Sequence, residues 1–144
     1  MEAILILMII GMVVGTWILS GVVPTMIFYG LKIISPAVFL PATLIICAIV
    51  SVATGSSWST AATVGIALMG VGTGLGIPAP MTAGAIISGA YMGDKLSPLS
   101  DTTNLAPAMA GAKLFDHIKH MLYTTTPSFI ISLIIFAFLG MKYA

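Results

Sequence analysis

Long apolar stretches dominate this chain, and two short polar stretches interrupt them. No charged side chain occurs between Lys32 and Asp94, and a second uncharged stretch follows His120 as far as Met141. A helix that crosses a bilayer needs about 20 apolar residues. The first uncharged stretch therefore has room for two or three crossings.

Two further apolar segments lie towards the ends of the chain. Residues 3–23 predict one more crossing, and Pro127–Met141 predict a shorter final one. Thr25–Ile34, which follow Pro24, are too few to span and predict a connector or an interfacial turn. Together the segments predict about five to six membrane segments, some of them broken or re-entrant.

The composition excludes a soluble domain. Hydrophobic residues make up 59% of the chain and charged residues 6%, whereas soluble domains carry about 25% charged residues. Inside a bilayer a helix satisfies its own backbone hydrogen bonds. The chain is therefore predicted to be an all-α integral membrane protein that is surrounded by lipid. The lack of a basic patch predicts no nucleic-acid partner, and the net charge of +1 is uninformative about partners.

The two polar stretches, Gly55–Thr60 and Gly93–Pro107, combine helix-breaking residues with oxygen-bearing side chains. Within a membrane, non-helical backbone occurs only where it is buried in protein or lines a wet cavity, and transporters bind cations at such broken helices. Hard cations such as sodium prefer oxygen ligands. The candidate cation ligands are Ser56, Ser57, Ser59, Thr60, Ser97, Asp101, Thr102, Thr103 and Asn104.

Two carboxylates are candidates for carrying an exchanged proton. Burial raises the pKa of carboxylates in general, which lets them exchange a proton for a cation near neutral pH. Asp101 directly precedes the cluster Thr102–Asn104, whereas Asp94 adjoins Lys95. Because a neighbouring cation favours the ionised form of a carboxylate, the sequence ranks Asp101 ahead of Asp94.

Polarity alone leaves a simpler alternative open. Gly93–Pro107 is also compatible with a solvated loop, and Gly55–Thr60 with a tight turn in which Trp58 is an interfacial anchor. On that interpretation the chain is a small structural or regulatory membrane protein without transport activity.

A third class, an intramembrane enzyme, has few candidate residues. Lys113, Asp116, His117 and His120 fall on one face of a predicted amphipathic helix at the membrane surface. His117 and His120 have a spacing that permits metal binding, but no further ligand is evident. The sequence contains no HExxH or GxSxG motif. We therefore predict no enzyme, no transition-metal site and no cofactor.

The polar stretches also resemble a known family. Thr54-Gly-Ser-Ser-Trp-Ser-Thr60 and Gly93-Asp-Lys-Leu-Ser-Pro-Leu-Ser-Asp-Thr-Thr-Asn-Leu-Ala-Pro107, together with Leu114-Phe-Asp-His-Ile-Lys-His-Met-Leu-Tyr-Thr-Thr125, are similar to the NhaC family of Na⁺/H⁺ antiporters. The resemblance implies a multi-pass protein of the inner or plasma membrane that exchanges Na⁺ for H⁺. Some members couple the exchange to organic acids such as malate and lactate, so an organic acid is a further candidate substrate.

The resemblance also implies an architecture. Carriers of this superfamily contain two inverted repeats, each with a re-entrant hairpin and a broken helix. By that likeness Gly55–Thr60 marks the hairpin or its edge, and Asp94–Asn104 the unwound helix. Because the chain has room for about one repeat, residues 1–144 are expected to be a partial transporter domain, an incomplete product or fragment. Its expected partner is a second transporter half or a second copy of itself.

Overall fold

A computed structural model describes residues 2–143 as eight α-helices without a strand in that range. The helices are α1 Glu2–Leu19, α2 Val22–Ile33, α3 Pro36–Thr54, α4 Ser57–Ala62, α5 Val64–Gly74, α6 Ala79–Leu96, α7 Asp101–Ala110 and α8 Leu114–Met141. The predicted all-α fold is confirmed.

The centre of the fold is the close parallel pair α3 and α6. A Cβ on Gly89 would lie 2.2 Å from the carbonyl oxygen of Leu44, and one on Gly93 would lie 2.3 Å from that of Ala48. The two helices can approach this closely because glycine has no side chain at the contact, as is common between membrane helices. Their pairing brings the end of α3 beside the end of α6.

The core lies along this pair and extends to α5. It contains the buried side chains Phe39, Leu40, Leu44, Cys47, Leu68, Val71, Ile77, Ala85, Ile86 and Ala90. Phe129, Leu133 and Phe136 of α8 pack against it from another side. The other face of α8 is apolar and open, with Phe138 67% exposed. Such a face is suited to lipid contact.

The first two helices form a bent pair rather than a helix followed by a turn. Gly11–Leu19 and Val22–Ile33 meet at 70°, where Gly21 has a φ of 80°. Most of the segment 25–34, predicted as a connector or an interfacial turn, is thus helical, and its place relative to a membrane stays a prediction. Pro24 lies in the first turn of α2, where its missing N–H removes no intrahelical bond.

The last helix also differs from the prediction. The amphipathic segment around His117 and the final span continue into each other as the 28-residue helix α8, with Pro127 inside it. A continuous helix keeps nearly all backbone groups paired, which an apolar environment strongly favours. The amphipathic segment around His117 is thus the first part of a long helix rather than a separate surface helix.

The apolar helices indicate a membrane protein. Of the described residues, α3 and α8 are each long and apolar enough to cross a membrane, and the bent pair α1–α2 is a third candidate. Broken helices occur at both predicted polar stretches. The count of five to six membrane segments and the assignment to one inverted repeat stay predictions.

Candidate functional site

The two polar stretches meet at one end of the α3–α6 pair. Gly55 ends α3 with a φ of 71°, a conformation that glycine adopts without strain. A Cβ added there would lie 2.7 Å from Leu99. The break after α3 therefore packs directly on the break after α6.

The second break is shorter than predicted. Its non-helical residues are 97–100, while Asp94 lies in the last turn of α6 and Asp101–Asn104 open α7. The hydroxyl of Ser97 donates to the carbonyl of Val52 at 2.7 Å. The amide of Asn104 donates to the carbonyls of Pro98 and Ser100, each at 2.7 Å. These side chains satisfy backbone groups and thereby limit the unwinding to four residues.

Two threonines and a serine hold the ends of the helices at the breaks. Thr103 donates to the carbonyls of Asp94 and Lys95 at 3.2 and 3.1 Å, so it ties α7 to the end of α6. Ser56 caps α4 by accepting from the Ser59 amide, and Thr60 donates to the Ser56 carbonyl at 2.9 Å. Capping of this kind replaces hydrogen bonds that a helix end lacks.

Asp94 is the carboxylate that the two breaks enclose. The buried Ser57 at the start of α4 donates its hydroxyl to Oδ2 of Asp94 at 2.7 Å. The other oxygen, Oδ1, is buried and has no hydrogen-bond partner among the described residues. Since buried polar atoms are nearly always paired, this oxygen has free capacity for a proton or a cation.

Asp101 has a different environment. It is exposed in the first turn of α7, and its Oδ1 accepts from the backbone amide of Thr102 at 2.8 Å. Negative charge is favourable at that position of a helix. The Thr102 hydroxyl pairs with that of the buried Ser100 at 3.0 Å.

A cavity of about 890 Å³ connects the two breaks with α8. Its lining comprises Gly55, Ser56, Ser57, Trp58, Ser59, Tyr91, Asp94, Lys95, Leu99, Asp101, Thr102, Thr103, Ala106, His117 and Met121. The Lys95 ammonium lies over the Tyr91 ring, 5.7 Å from its centre. The cavity thus combines carboxylates and hydroxyls with one ammonium, one imidazole and apolar walls.

Most of the predicted site residues line this cavity. Those that do are Ser56, Ser57, Ser59, Asp94, Asp101, Thr102 and Thr103, whereas Thr60, Ser97 and Asn104 are outside its lining. The sequence alone indicates His117 only as a candidate for metal binding or for an enzyme, and it does not place Tyr91 or Met121 at the site. The spacing of His117 and Met121, one helical turn apart, is a signal that they share a face.

Comparison with known proteins agrees with the sequence resemblance. Residues 89–144 match the model of the Na⁺/H⁺ antiporter family. The chain is 55% identical over 143 residues to the "Malate-2H(+)/Na(+)-lactate antiporter" of Bacillus subtilis, covering 99% of the chain and 31% of that protein. It is 54% identical to the "Na(+)/H(+) antiporter NhaC" of Alkalihalophilus pseudofirmus with the same coverage.

A further relative has a different printed substrate. The chain is 50% identical over 139 residues to the "Arginine/ornithine antiporter ArcD" of Halobacterium salinarum, covering 96% of the chain and 29% of that protein. The chain thus spans about a third of the length of these relatives. No solved structure matches the chain.

Proposed function

We propose, from the premise that this chain belongs to the Na⁺/H⁺ antiporter family, that it contributes the cation site of a secondary transporter that exchanges Na⁺ for H⁺. The site is centred on Asp94 and Ser57, where the breaks after α3 and α6 meet. The observation that carries the proposal is the buried Oδ1 of Asp94, which has no partner among the described residues. The protein acts as a transporter rather than an enzyme.

Geometry favours Asp94 over Asp101 as the exchanging carboxylate. Asp94 is half-buried, accepts a hydrogen bond from a buried hydroxyl and belongs to the cavity lining. Asp101 is exposed and already accepts a bond from the start of its own helix. An ion that must leave water gains more from a carboxylate in a poorly solvated place, because charges interact more strongly there. Asp101, Thr102 and Thr103 are then secondary contacts along the cavity.

Exchange follows from competition at one carboxylate. A proton on Asp94 removes the charge that attracts sodium, and sodium on Asp94 excludes the proton. The Ser57 oxygen retains lone pairs beside the same carboxylate and can contact the cation as well. We take the protein to be a multi-pass protein of the cell membrane. Because only one of the two ions can occupy Asp94 at a time, exposing the site first to one side of the membrane and then to the other couples their fluxes.

An organic acid is a second candidate substrate. The cavity of about 890 Å³ is far larger than a sodium ion, and Lys95 adds a cation that can pair with a carboxylate. One relative is named for malate and lactate. Acceleration of sodium uptake by lactate or malate, in vesicles without a membrane potential, would support this candidate. Identical sodium uptake with and without these acids would mean that sodium and protons are the only substrates.

The complete transport cycle needs more than the described helices. In inverted-repeat carriers the site lies between two halves that move against each other. We propose that the cavity is closed by a second transporter half or by a second copy of this chain. Lys95, which lies on the Tyr91 ring, and the apolar walls are then the surfaces nearest that partner.

Removal of the Ser57 hydroxyl tests the proposed ligand pair. Ser57→Ala is expected to raise the sodium concentration for half-maximal exchange about tenfold, because a hydrogen bond to a charged group contributes about 1.5–3 kcal/mol. The sodium concentration for half-maximal exchange is measured from the sodium-induced pH change in everted membrane vesicles. The protein in these vesicles is expressed from its own gene.

Ser128→Ala is the matched control. Ser128 is exposed on α8 and its hydroxyl donates to the Thr124 carbonyl within the same helix. Ser128→Ala should leave the sodium concentration for half-maximal exchange unchanged. Equal sodium dependence in Ser57→Ala and Ser128→Ala would contradict a role for Ser57 at the cation.

A further inference from the structure

We propose that Thr103 is a positioning residue of the cation site, whose hydroxyl fixes the last turn of α6 and so keeps the Asp94 carboxylate against the Ser57 hydroxyl. The inference rests on the proposed function. It gives Thr103 a role in sodium affinity that goes beyond the contact which this residue offers along the cavity.

The chain that follows α6 does not supply the usual hydrogen bonds to the end of that helix. In a continuing helix each carbonyl accepts from the amide four residues further on. For Asp94 that residue is Pro98, which has no N–H. For Lys95 it is Leu99, whose amide donates to the Ser97 hydroxyl at 3.2 Å. The carbonyls of Asp94 and Lys95 therefore depend on donors from elsewhere.

Thr103 of α7 is a donor to both carbonyls. Its hydroxyl lies 3.2 Å from the carbonyl oxygen of Asp94 and 3.1 Å from that of Lys95. The amide of Ser97 also donates to the Asp94 carbonyl, at 3.2 Å. Thr103 is only 2% exposed, so water has little access to its hydroxyl. Since an unpaired carbonyl is costly where water has little access, the Thr103 hydroxyl stabilises this ending of α6.

The ending of α6 determines where the carboxylate of Asp94 lies. Asp94 belongs to the last turn of α6, and its Oδ2 accepts from the Ser57 hydroxyl of α4 at 2.7 Å. The backbone of Asp94 is thus held from α7 and its side chain from α4. Helix ends fray when their carbonyls lack partners. Without the Thr103 hydroxyl, this turn should loosen and the carboxylate should spend less time against Ser57.

Thr103→Val tests the inference, because valine keeps the shape of the side chain and removes its donor. We expect the sodium concentration for half-maximal exchange in everted vesicles to rise about tenfold. Thr103→Ser retains the hydroxyl and should restore the original concentration. A purely structural role would reduce the amount of folded protein, and hence the maximal rate, with an unchanged half-maximal concentration. That result would overturn the inference.

Thr124→Val is the matched control. Thr124 is exposed on α8 and outside the cavity lining, and its hydroxyl donates to the Met121 carbonyl at 3.1 Å. The substitution therefore also removes a hydroxyl that is bonded to a backbone carbonyl, but away from Asp94. It should leave the half-maximal sodium concentration unchanged. An equal rise in Thr124→Val and Thr103→Val would contradict a specific role for Thr103.

A double variant separates positioning from direct contact with sodium. If Thr103 acts through the contact between Asp94 and Ser57, its hydroxyl matters little once that of Ser57 is gone. The double variant Ser57→Ala/Thr103→Val should then stay within about threefold of Ser57→Ala. Multiplication of the two single effects, to about 100-fold, would overturn the inference and make Thr103 an independent sodium ligand.

A second pair of variants applies if Thr103→Val does not fold. Thr103→Cys and Thr103→Ser have the same shape, but a thiol is the weaker donor. The cysteine variant should need more sodium for half-maximal exchange than the serine variant, and equal values would overturn the inference. Asp94→Asn distinguishes this failure from failure of the proposed function. Unchanged flux in Asp94→Asn would refute the cation site itself, whereas abolished flux there would leave that site supported.

Discussion

Asp94→Asn is expected to abolish sodium-driven proton flux while the protein stays folded and inserted. Asparagine keeps the shape of the side chain and can still accept from the Ser57 hydroxyl, but it has no charge and no exchangeable proton. The attraction between sodium and a carboxylate in contact is about 5 kcal/mol at an effective dielectric constant of about 20. Its loss weakens sodium binding by more than about 100-fold. Sodium-induced fluorescence recovery of a pH dye in everted vesicles measures the flux.

Two other aspartates provide the comparison. Asp116 is exposed on α8 and outside the cavity lining, so Asp116→Asn should retain normal flux. Asp101→Asn should retain flux with a weaker affinity for sodium, because Asp101 is exposed at the cavity. Abolished flux in Asp101→Asn together with normal flux in Asp94→Asn would return the exchanging role to Asp101, as the sequence ranks it.

Gly93→Ala is expected to destabilise the packing of α3 on α6. The new Cβ would lie 2.3 Å from the Ala48 carbonyl oxygen and 2.7 Å from the Ser51 Cβ. Backbone atoms of a packed helix cannot move locally, so the two helices must separate. Overpacking of this kind costs about 1–3 kcal/mol or more, and it displaces Asp94, the next residue. The temperature at which the detergent-solubilised protein loses its gel-filtration peak should fall by several degrees.

The first helix supplies a matched control for this substitution. A Cβ on Gly11 of α1 would meet nothing within 4 Å. Gly11→Ala should therefore leave stability unchanged or raise it slightly, because alanine favours a helix over glycine by about 1 kcal/mol. Equal melting temperatures for Gly93→Ala and Gly11→Ala would mean that α3 and α6 are not in close contact.

Much of the helical framework could be predicted from the apolar pattern. Helix α3, Pro36–Thr54, lies inside the uncharged stretch between Lys32 and Asp94, which predicts two or three crossings. The break near Gly55 and the break near Pro98 are both present. These features depend on local chemistry, namely a run of apolar residues that ends at glycine or proline.

The roles of individual polar side chains could not be predicted in the same way. Ser97 and Asn104 are candidate cation ligands in the sequence, and in the structure they also donate hydrogen bonds to the carbonyls of Val52, Pro98 and Ser100. Val52 is 45 residues from Ser97 along the chain. Only the packing of α6 on α3 determines that contact, and spacing within one polar stretch carries no information about it.

The ranking of the two carboxylates has the same physical basis. Sequence proximity to Lys95 argued for Asp101, but the Lys95 ammonium lies over the Tyr91 ring. The close approach of Gly93 to Ala48 brings the neighbouring Asp94 to the buried Ser57. The signal in the sequence was the spacing of small residues at 85, 89 and 93, which marks a helix-packing face. That signal predicts contact but does not identify the partner helix.

Direct sodium binding tests the central claim, that Na⁺ and H⁺ compete for Asp94. Binding of radioactive sodium to purified protein in detergent should be saturable, should be displaced by protons as the pH falls, and should be absent from Asp94→Asn at every pH. Asp116→Asn should bind like the unmodified protein. Saturable, pH-dependent sodium binding that persists in a folded Asp94→Asn protein would contradict the account.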